Sequence, residues 1–172
     1  MSSETAVARS TLAPYCVGIG IDFGFGGDAI VPHAITFDLP QMYCPSFCGH
    51  RQVLQGDCTS LPFICSGAFD WVYSSHLLED FSYRELVGVI NEWRRILTPG
   101  GVLITNCPDQ QKFLAHCEAT GQSINANHKE NDFSLHNFRS RVLALAGDGD
   151  WQYLYENPDA KPYSWYLVAR KI

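Results

Sequence analysis

Apolar runs rich in β-branched and aromatic residues alternate with segments of helical periodicity along this chain of 172 residues. Most runs lack the polar alternation of a half-exposed strand, which indicates strands covered on both faces, as in the middle of a parallel sheet. The alternation therefore predicts an α/β fold built on a mostly parallel sheet. The predicted strands cover residues 17–23, 34–38, 52–55, 69–73 and 102–106.

Three helices are predicted between and after these strands. An S-x-x-E capping box at residues 82–85 precedes apolar side chains at three- and four-residue spacing, which predicts the clearest of the helices. A second helix is predicted over residues 109–121, with Asp at its first position and Gly at its last. A third is predicted over residues 134–147, with Leu145 on its inward face.

The end of the chain has a different pattern. Residues 151–156 and 163–170 are rich in aromatic and β-branched side chains, and the turn-forming residues 157–162 separate them. This pattern predicts an antiparallel hairpin added to one edge of the parallel sheet.

The connections near the N-terminus are too short or too rich in proline for full helices. Only residues 24–33 separate the first two predicted strands, and Pro32 interrupts them. We therefore expect reduced helices in this region and little chain before the first strand to cover a site. We also expect flexibility for residues 1–15 and one domain over residues 1–172.

Charge and cysteine content disfavour several classes of protein. Lys and Arg total 12 and Asp and Glu total 18, so the formal net charge is −6, the wrong sign for a general nucleic-acid partner. The Arg94-Arg95 pair is still compatible with a local basic patch. No apolar run approaches the roughly 20 residues that cross a bilayer, and no continuous apolar signal segment begins the chain. The seven cysteines cannot all pair within the chain. We expect a cytoplasmic protein with reduced cysteines and no membrane partner.

Polar residues follow four of the predicted strands, at the edge where an open α/β sheet binds its ligands. A turn with Gly24 and Gly26 follows the first strand, and Asp38 and Asp57 follow the second and third. Glycines allow close backbone approach to a ligand, and a carboxylate can accept hydrogen bonds from ribose hydroxyls or an amine. Each feature alone is also compatible with a simple turn, cap or solvated loop. The fourth strand leads into Ser74, Ser75, His76, Glu79 and Asp80.

These strand ends, with the Leu-x-Pro-Gly-Gly segment at residues 97–101, resemble the class I S-adenosylmethionine-dependent methyltransferases, especially the small-molecule type. The resemblance covers residues 17–109 and is most specific in residues 69–80 and in the helix that leads to the Pro-Gly-Gly turn. It implies a Rossmann-like class I methyltransferase fold, with a seven-stranded sheet whose last strand is antiparallel. The independently predicted C-terminal hairpin agrees with that topology.

The resemblance also implies S-adenosylmethionine as the cofactor and a small molecule as the methyl acceptor, modified at a hydroxyl, amine or similar nucleophile. A cationic sulfonium is less costly beside an acidic site than beside a basic one. The implied cofactor-binding residues are Asp22, Gly24 and Gly26 at the methionine end, Asp38 at the ribose with Leu39 beside it, Asp57 and Cys58 near the adenine, and Ser74, Ser75 and His76 around the transferred methyl group.

Two histidines are candidate catalytic residues, because transfer to a hydroxyl requires a group that removes a proton. His76 has the better position by motif, with Glu79 or Asp80 near it in the sequence. His128 lies in a polar loop between the fifth and sixth strands, where this family often builds the acceptor pocket. Each is also compatible with a residue that only lines the pocket or lies in solvent.

Other patterns leave alternatives open. Cys44, Cys48 and His50 are possible zinc ligands by type, but their spacing matches no standard closed site, and we predict no metal. The aromatic residues of the tail are typical of sheet packing or of an interface, and an exposed aromatic edge would favour a homodimer.

Two other functions remain compatible with the sequence. The short, proline-containing connections near the N-terminus are compatible with a catalytically inactive, methyltransferase-like binding or regulatory protein. The glycine pattern Gly24-x-Gly26-x-x-Ala29 is compatible with a nicotinamide-dependent oxidoreductase. Asp38, however, follows these glycines too soon for the usual spacing of about 20 residues.

Overall fold

Seven strands form one mixed sheet in the computed structural model, which describes residues 3–40 and 52–172. The strands are β1 (Gly20–Phe23), β2 (Ile35–Asp38), β3 (Leu54–Gln55), β4 (Phe69–Ser75), β5 (Leu97–Pro108), β6 (Trp151–Ala160) and β7 (Ser164–Lys171). Their order is β3-β2-β1-β4-β5-β7-β6. The first five pair in parallel, and β7 is antiparallel to both of its neighbours. The predicted Rossmann-like α/β fold with a C-terminal antiparallel hairpin is confirmed.

The described residues also form four α-helices: α1 (Glu4–Leu12), α2 (Tyr83–Ile96), α3 (Gln110–Thr120) and α4 (Leu135–Phe138). The predicted capping box starts α2, where the Ser82 hydroxyl accepts from the N–H of Glu85 and the Glu85 carboxylate accepts from the N–H of Ser82. α3 begins after the predicted Asp109 cap and ends at Gly121, whose φ of 72° is left-handed.

Apolar cores cover both faces of the sheet. On one face, Trp93 of α2 stacks on Phe23 of β1, with ring centroids 4.7 Å apart. On the other face, α1 buries Ala8 and Leu12 in a cluster that includes Trp71 of β4. Because both faces are covered, the central strands are apolar without alternation.

Residues 4–15 form α1 and a following helical turn, whereas the sequence pattern predicts flexibility over residues 1–15. Ala8 and Leu12, one helical turn apart, have no exposed surface and anchor the helix. Arg9 pairs with Asp28 and donates to the backbone oxygen of Ala29. These contacts fix α1 against the glycine-rich turn after β1, so the short N-terminal segment does cover part of the site.

The third predicted helix departs from its expected course. α4 continues into a wider π-helical turn at Arg139–Leu143, in which the N–H of Ala144 donates to the oxygen of Arg139. The extra residue in this turn shifts the register, so that Leu145 is 64% exposed and Ala146 is buried. The prediction that Leu145 points inward is therefore wrong.

The connection between β1 and β2 consists of turns without a helix, as its length predicts. The following connection lies mostly outside the described residues. Within the described ranges, no helix has both the length and the apolar character needed to cross a bilayer.

The Arg94-Arg95 pair, a basic patch in the sequence, has partners within the chain. Arg95 pairs with Glu92 and donates to the backbone oxygen of Leu61, and Arg94 donates to that of Ile172. Both guanidinium groups therefore hold neighbouring segments together at the end of α2.

Candidate active site

A cleft of about 850 Å³ lies beyond the carboxyl ends of the parallel strands, where the predicted polar residues meet. Residues of α1, α3 and the loop that follows α3 also line it. The predicted site residues that line the cleft are Gly24, Gly26, Asp38, Leu39, Asp57, Cys58, Ser75, His76 and His128. Residues separated by more than a hundred positions in the sequence thus share one cleft.

The glycine-rich turn after β1 leaves its backbone accessible. Gly24 and Gly26 have φ angles of 65° and 56°, in the left-handed region that favours glycine. A Cβ atom on Gly24 would lie 3.1 Å from a methyl carbon of Leu77. Beside Gly26, the nearest atom to such a Cβ would be 3.9 Å away, so a ligand has room to approach this part of the backbone.

Asp38 ends β2 beside this turn and is held by two backbone groups. Its Oδ2 accepts from the N–H of Gly26 at 3.2 Å, and its Oδ1 accepts from the N–H of Leu39 at 2.8 Å. Because a carboxylate has about four lone-pair sites, each oxygen can still accept a hydrogen bond from a ligand. Asp38 therefore offers a fixed acceptor pair of the kind that a vicinal diol requires.

Asp57 and Cys58 follow β3. Asp57 is exposed, and its Oδ1 accepts from the N–H of Thr59 at 2.8 Å. Burial, with a further contribution from the charge of Asp57, raises the pKa of the Cys58 thiol to about 12. The thiol is therefore neutral and forms an apolar part of the cleft wall.

Asp22 and Ser74 do not line the cleft, although the family resemblance implies that they contact the cofactor. Both are fully buried. The Oδ2 of Asp22 accepts from the N–H of Ile30 at 2.8 Å, which fixes the far end of the glycine-rich turn. Ser74 alternates with Ser75 along β4, so the two side chains point to opposite faces, and Ser75 is the one in the cleft.

Asp22→Asn is expected to make the stability of the protein less dependent on pH. Burial raises the pKa of Asp22 well above its usual range; the Ile30 N–H and Arg9 oppose this rise, and Asp28 and Asp38 add to it. The folded chain therefore keeps the proton to a higher pH than the unfolded chain. The free energy of unfolding should decrease as the pH rises between the two pKa values, with a slope of up to about 1.4 kcal/mol per pH unit for one proton.

Urea unfolding between roughly pH 5 and pH 8 measures this slope. The asparagine can still accept from Ile30 but cannot ionise, so its slope should be shallower than that of the wild type. Asp159→Asn, at an exposed carboxyl of the hairpin, is the matched control and should keep the wild-type slope. Equal slopes for the wild type and Asp22→Asn would contradict the prediction.

His76 follows β4 directly and has a φ of 50°, which is rare for a residue other than glycine. Its backbone N–H donates to the oxygen of Asn106, and its Nε2 lies 3.1 Å from the Ser164 hydroxyl. Burial, with a contribution from His128, lowers the pKa of His76 to about 3, so its imidazole is neutral. Backbone strain of this kind is typical of functional sites.

Glu79 lies between the two predicted histidines and is 2% exposed. Its Oε1 is 3.6 Å from Nδ1 of His76 and 3.9 Å from Nε2 of His128. Its Oε2 is buried and accepts no hydrogen bond from the described residues. Burial raises the pKa of Glu79 well above its usual range.

His128 is oriented by a buried amide. Its Nδ1 donates to Oε1 of Gln110 at 2.7 Å, so in the neutral ring Nε2 carries the lone pair. Burial lowers the pKa of His128, which favours this neutral form. The ring also packs on Phe113 of α3, with centroids 4.9 Å apart.

Glu4 and Tyr163, which no sequence pattern marks as site residues, also line this part of the cleft. The hydroxyl of Tyr163 donates to Oε1 of Glu4 at 3.0 Å, although the two residues are 159 positions apart. Oε2 of Glu4 lies 3.7 Å from Nε2 of His76. No pattern in the sequence places Glu4 beside the C-terminal hairpin.

The three candidate zinc ligands, Cys44, Cys48 and His50, lie outside the described residues. Across residues 3–40 and 52–172, no group of three or more His, Cys, Asp or Glu side chains has an arrangement that could hold a metal ion.

Known proteins resemble this chain in both sequence and fold. A family model described as a methyltransferase domain matches residues 33–105. An S-adenosylmethionine-dependent methyltransferase from Archaeoglobus fulgidus has a TM-score of 0.72 at 14% identity, over 99% of this chain and 95% of that one. One from Mesorhizobium loti has a TM-score of 0.65 at 12% identity, over 99% of each chain. A protein of Pyrococcus horikoshii has a TM-score of 0.70 at 17% identity, over 97% of this chain and 89% of that one. No curated protein sequence matches.

The family match implies S-adenosylmethionine as the cofactor, and the cleft fits it chemically. The glycine-rich turn leaves its backbone accessible, Asp38 has free lone pairs for a ribose, and the carboxyl groups of the cleft suit a cationic sulfonium. Residues 33–105 match the methyltransferase domain family, and the chain has the fold of the class I S-adenosylmethionine-dependent methyltransferases.

Proposed function

We propose that this protein transfers the methyl group of S-adenosylmethionine to a hydroxyl, amine or similar nucleophile of a small molecule. One observation carries the proposal: a single cleft joins the glycine-rich turn and Asp38 to two neutral histidines and a buried carboxyl group. Methyl transfer needs both parts, because the protein must align donor and acceptor and must also accommodate the proton that the acceptor loses.

In this proposal the turn and the strand ends hold the cofactor. Gly24 and Gly26 allow its methionine end to approach the backbone, and Asp38 accepts hydrogen bonds from its ribose hydroxyls. Asp22 acts indirectly, by fixing the turn through Ile30. When bound, S-adenosylmethionine supplies a methyl group that its positive sulfur activates for displacement. The remaining cofactor contacts in the proposal are Leu39, Asp57, Cys58, Ser75 and His76.

The dimensions of the cleft support a small acceptor. Pockets for small ligands and cofactors have volumes of roughly 300 to 1,000 Å³, and the whole cleft has about 850 Å³. The cofactor would occupy part of this volume, and Ser3, Glu4 and Thr5 line the cleft at the start of α1. The space that remains fits a small molecule better than a macromolecule.

A methyl-transfer assay tests the proposed function. The reduced protein is incubated with S-adenosylmethionine labelled in the methyl group and with a panel of amines, alcohols, thiols and carboxylic acids. We expect formation of S-adenosylhomocysteine that depends on an acceptor, together with a labelled product. Cofactor binding without a product from any acceptor would contradict catalysis and favour the inactive binding protein.

His128→Phe is expected to lower this turnover by about tenfold or more. The change keeps a ring against Phe113 but removes the lone pair of Nε2, and so removes about one hydrogen bond to the substrate. His136→Phe is the matched control, because His136 is exposed and does not line the cleft. Equal turnover by both variants would exclude His128 from the acceptor site.

A further inference from the structure

The inner part of the cleft has more hydrogen-bond acceptors than donors. We call Glu4, His76, Glu79 and His128 the carboxylate–histidine cluster; all four line the cleft. Oε2 of Glu79 is buried and accepts no hydrogen bond from the described residues. Nε2 of His128 has the lone pair of a neutral ring, because Nδ1 donates to Gln110. When Glu79 is ionised, its Oε2 therefore has no hydrogen-bond donor among the described residues, and the lone pair of His128 Nε2 can accept from a ligand.

Two side chains beside this cluster already have partners. The hydroxyl of Tyr163 donates to Oε1 of Glu4, and Nε2 of His76 is within hydrogen-bond distance of the Ser164 hydroxyl. The distances of 3.6 Å and 3.9 Å from Oε1 of Glu79 to the two imidazoles are too long for good hydrogen bonds. A buried carboxyl group without donors is costly, so a ligand that supplies N–H groups would be strongly preferred here.

Charge favours the same kind of ligand. The described residues that line the cleft include six carboxyl side chains and no Lys or Arg, and Arg9 pairs with only one of the six, Asp28. A carboxylate or phosphate substrate would therefore find no cationic partner among the described residues that line the cleft. The six are Glu4, Asp28, Asp38, Asp57, Glu79 and Asp80.

Aromatic rings complete the environment of a cation. Phe113 and Tyr163 line the cleft beside the carboxylate–histidine cluster, with ring centroids 5.2 Å apart, and Tyr163 lies 6.0 Å from His76. Rings of this type attract ammonium groups through their faces and also contact apolar carbon.

We propose that the methyl acceptor is a primary or secondary amine that binds as its ammonium ion, with Glu79 as its charge partner and the acceptor of its proton. This inference rests on the proposed methyl transfer and names the substrate class of the same site. The ammonium of a primary amine donates its other two N–H groups to Nε2 of His128 and to the carboxylate of Glu4, and that of a secondary amine donates its one remaining N–H to Nε2 of His128. The histidines thus position the nitrogen, and Glu79 is the catalytic residue.

Atoms, electrons and charge balance in the proposed methyl transfer. The ammonium gives one proton to the Glu79 carboxylate, and the freed lone pair on nitrogen forms a bond to the methyl carbon. The bond from that carbon to sulfur breaks, and its electron pair remains on sulfur. The products are S-adenosylhomocysteine and a methylated ammonium ion, and Glu79 returns its proton to solvent before the next turnover.

The test uses substrates that differ only in the reacting group. Sets of an amine, an alcohol and a carboxylic acid with the same skeleton, such as 2-phenylethylamine, 2-phenylethanol and phenylacetic acid, are compared, with alkyl sets beside the aryl ones. Binding to protein saturated with S-adenosylhomocysteine is measured by calorimetry, and turnover is measured by release of S-adenosylhomocysteine. We expect amines alone to bind and to be methylated.

The variant Glu79→Gln tests whether the Glu79 carboxylate binds the ammonium and accepts its proton. It should lower kcat/KM for the amine by about 100-fold or more, as expected for a general base, and should abolish amine binding while S-adenosylhomocysteine binds as in the wild type. Glu118→Gln makes the same change at an exposed position of α3 outside the cleft, and it should behave as the wild type.

Three results would overturn the inference. They are methylation of the alcohol or acid as readily as of the amine, full amine binding and turnover by Glu79→Gln, and no amine binding by protein that binds S-adenosylhomocysteine. The last would leave the cofactor assignment intact. Failure of the wild type to bind S-adenosylhomocysteine would instead overturn the proposed function itself.

Discussion

Asp38→Ala is expected to weaken the binding of S-adenosylhomocysteine by about 100-fold. In the proposed complex the carboxylate accepts two hydrogen bonds from the ribose, and each bond to a charged group contributes about 1.5 kcal/mol or more. Two such bonds correspond to a factor of roughly 100 in Kd. The loss also frees the N–H of Gly26, which Asp38 fixes at 3.2 Å, so the glycine-rich turn would be less well ordered for the ligand.

Calorimetric titration of the wild type, Asp38→Ala and Asp38→Asn measures this effect. The asparagine retains one acceptor oxygen, and its affinity should lie between the other two. Asp159→Ala, at a side chain 78% exposed on the hairpin, should bind as the wild type. An Asp38→Ala protein that is folded and binds with the wild-type Kd would show that Asp38 does not hold the ribose.

Gly20→Ala is expected to have the largest effect on stability. A Cβ atom at this position of β1 would lie 1.9 Å from Cδ2 of Trp71, a distance that no packing tolerates. The indole ring is fully buried between α1 and the sheet, so it cannot move without disturbing the core. Overpacking of this kind costs about 3 kcal/mol or more, and the variant should unfold at clearly lower urea concentration or fail to fold.

Gly88→Ala is the matched control for this prediction. Gly88 lies on the exposed side of α2, and nothing lies within 4 Å of a Cβ atom built there. Alanine at such a position should stabilise the protein by about 0.5 to 1 kcal/mol. Urea unfolding of both variants checks the pair; equal shifts of the two midpoints in the same direction would contradict the packing of Trp71 on β1.

Much of the fold is predictable from the sequence because its signals are local. The capping box at Ser82 and Glu85, the Asp109 cap and the apolar central strands each depend on neighbouring residues, and the structure has all of them, although β5 begins at Leu97 and not at residue 102. The register around Leu145 was not predictable, because a π-helical turn has no simple sequence pattern and changes the face of every residue after it.

The candidate site also contains some residues whose positions are predictable from the sequence and others whose positions are not. Gly24, Asp38 and Asp57 follow strands, so the topology of an open sheet predicts their meeting. Glu4 and Tyr163 come together only through tertiary packing over 159 positions, and no periodicity encodes such a pair. For Asp22 the sequence motif predicts too much. Its position in the motif implies ligand contact, but its side chain is buried behind the turn, where it accepts a hydrogen bond from the N–H of Ile30.

Calorimetric titration of the reduced wild-type protein with S-adenosylhomocysteine, with NADH as the comparison ligand, tests the central claim most directly. We expect saturable binding of one S-adenosylhomocysteine per chain and no binding of NADH. A folded protein that does not bind S-adenosylhomocysteine, with or without binding of NADH, would contradict the assignment of this cleft to S-adenosylmethionine.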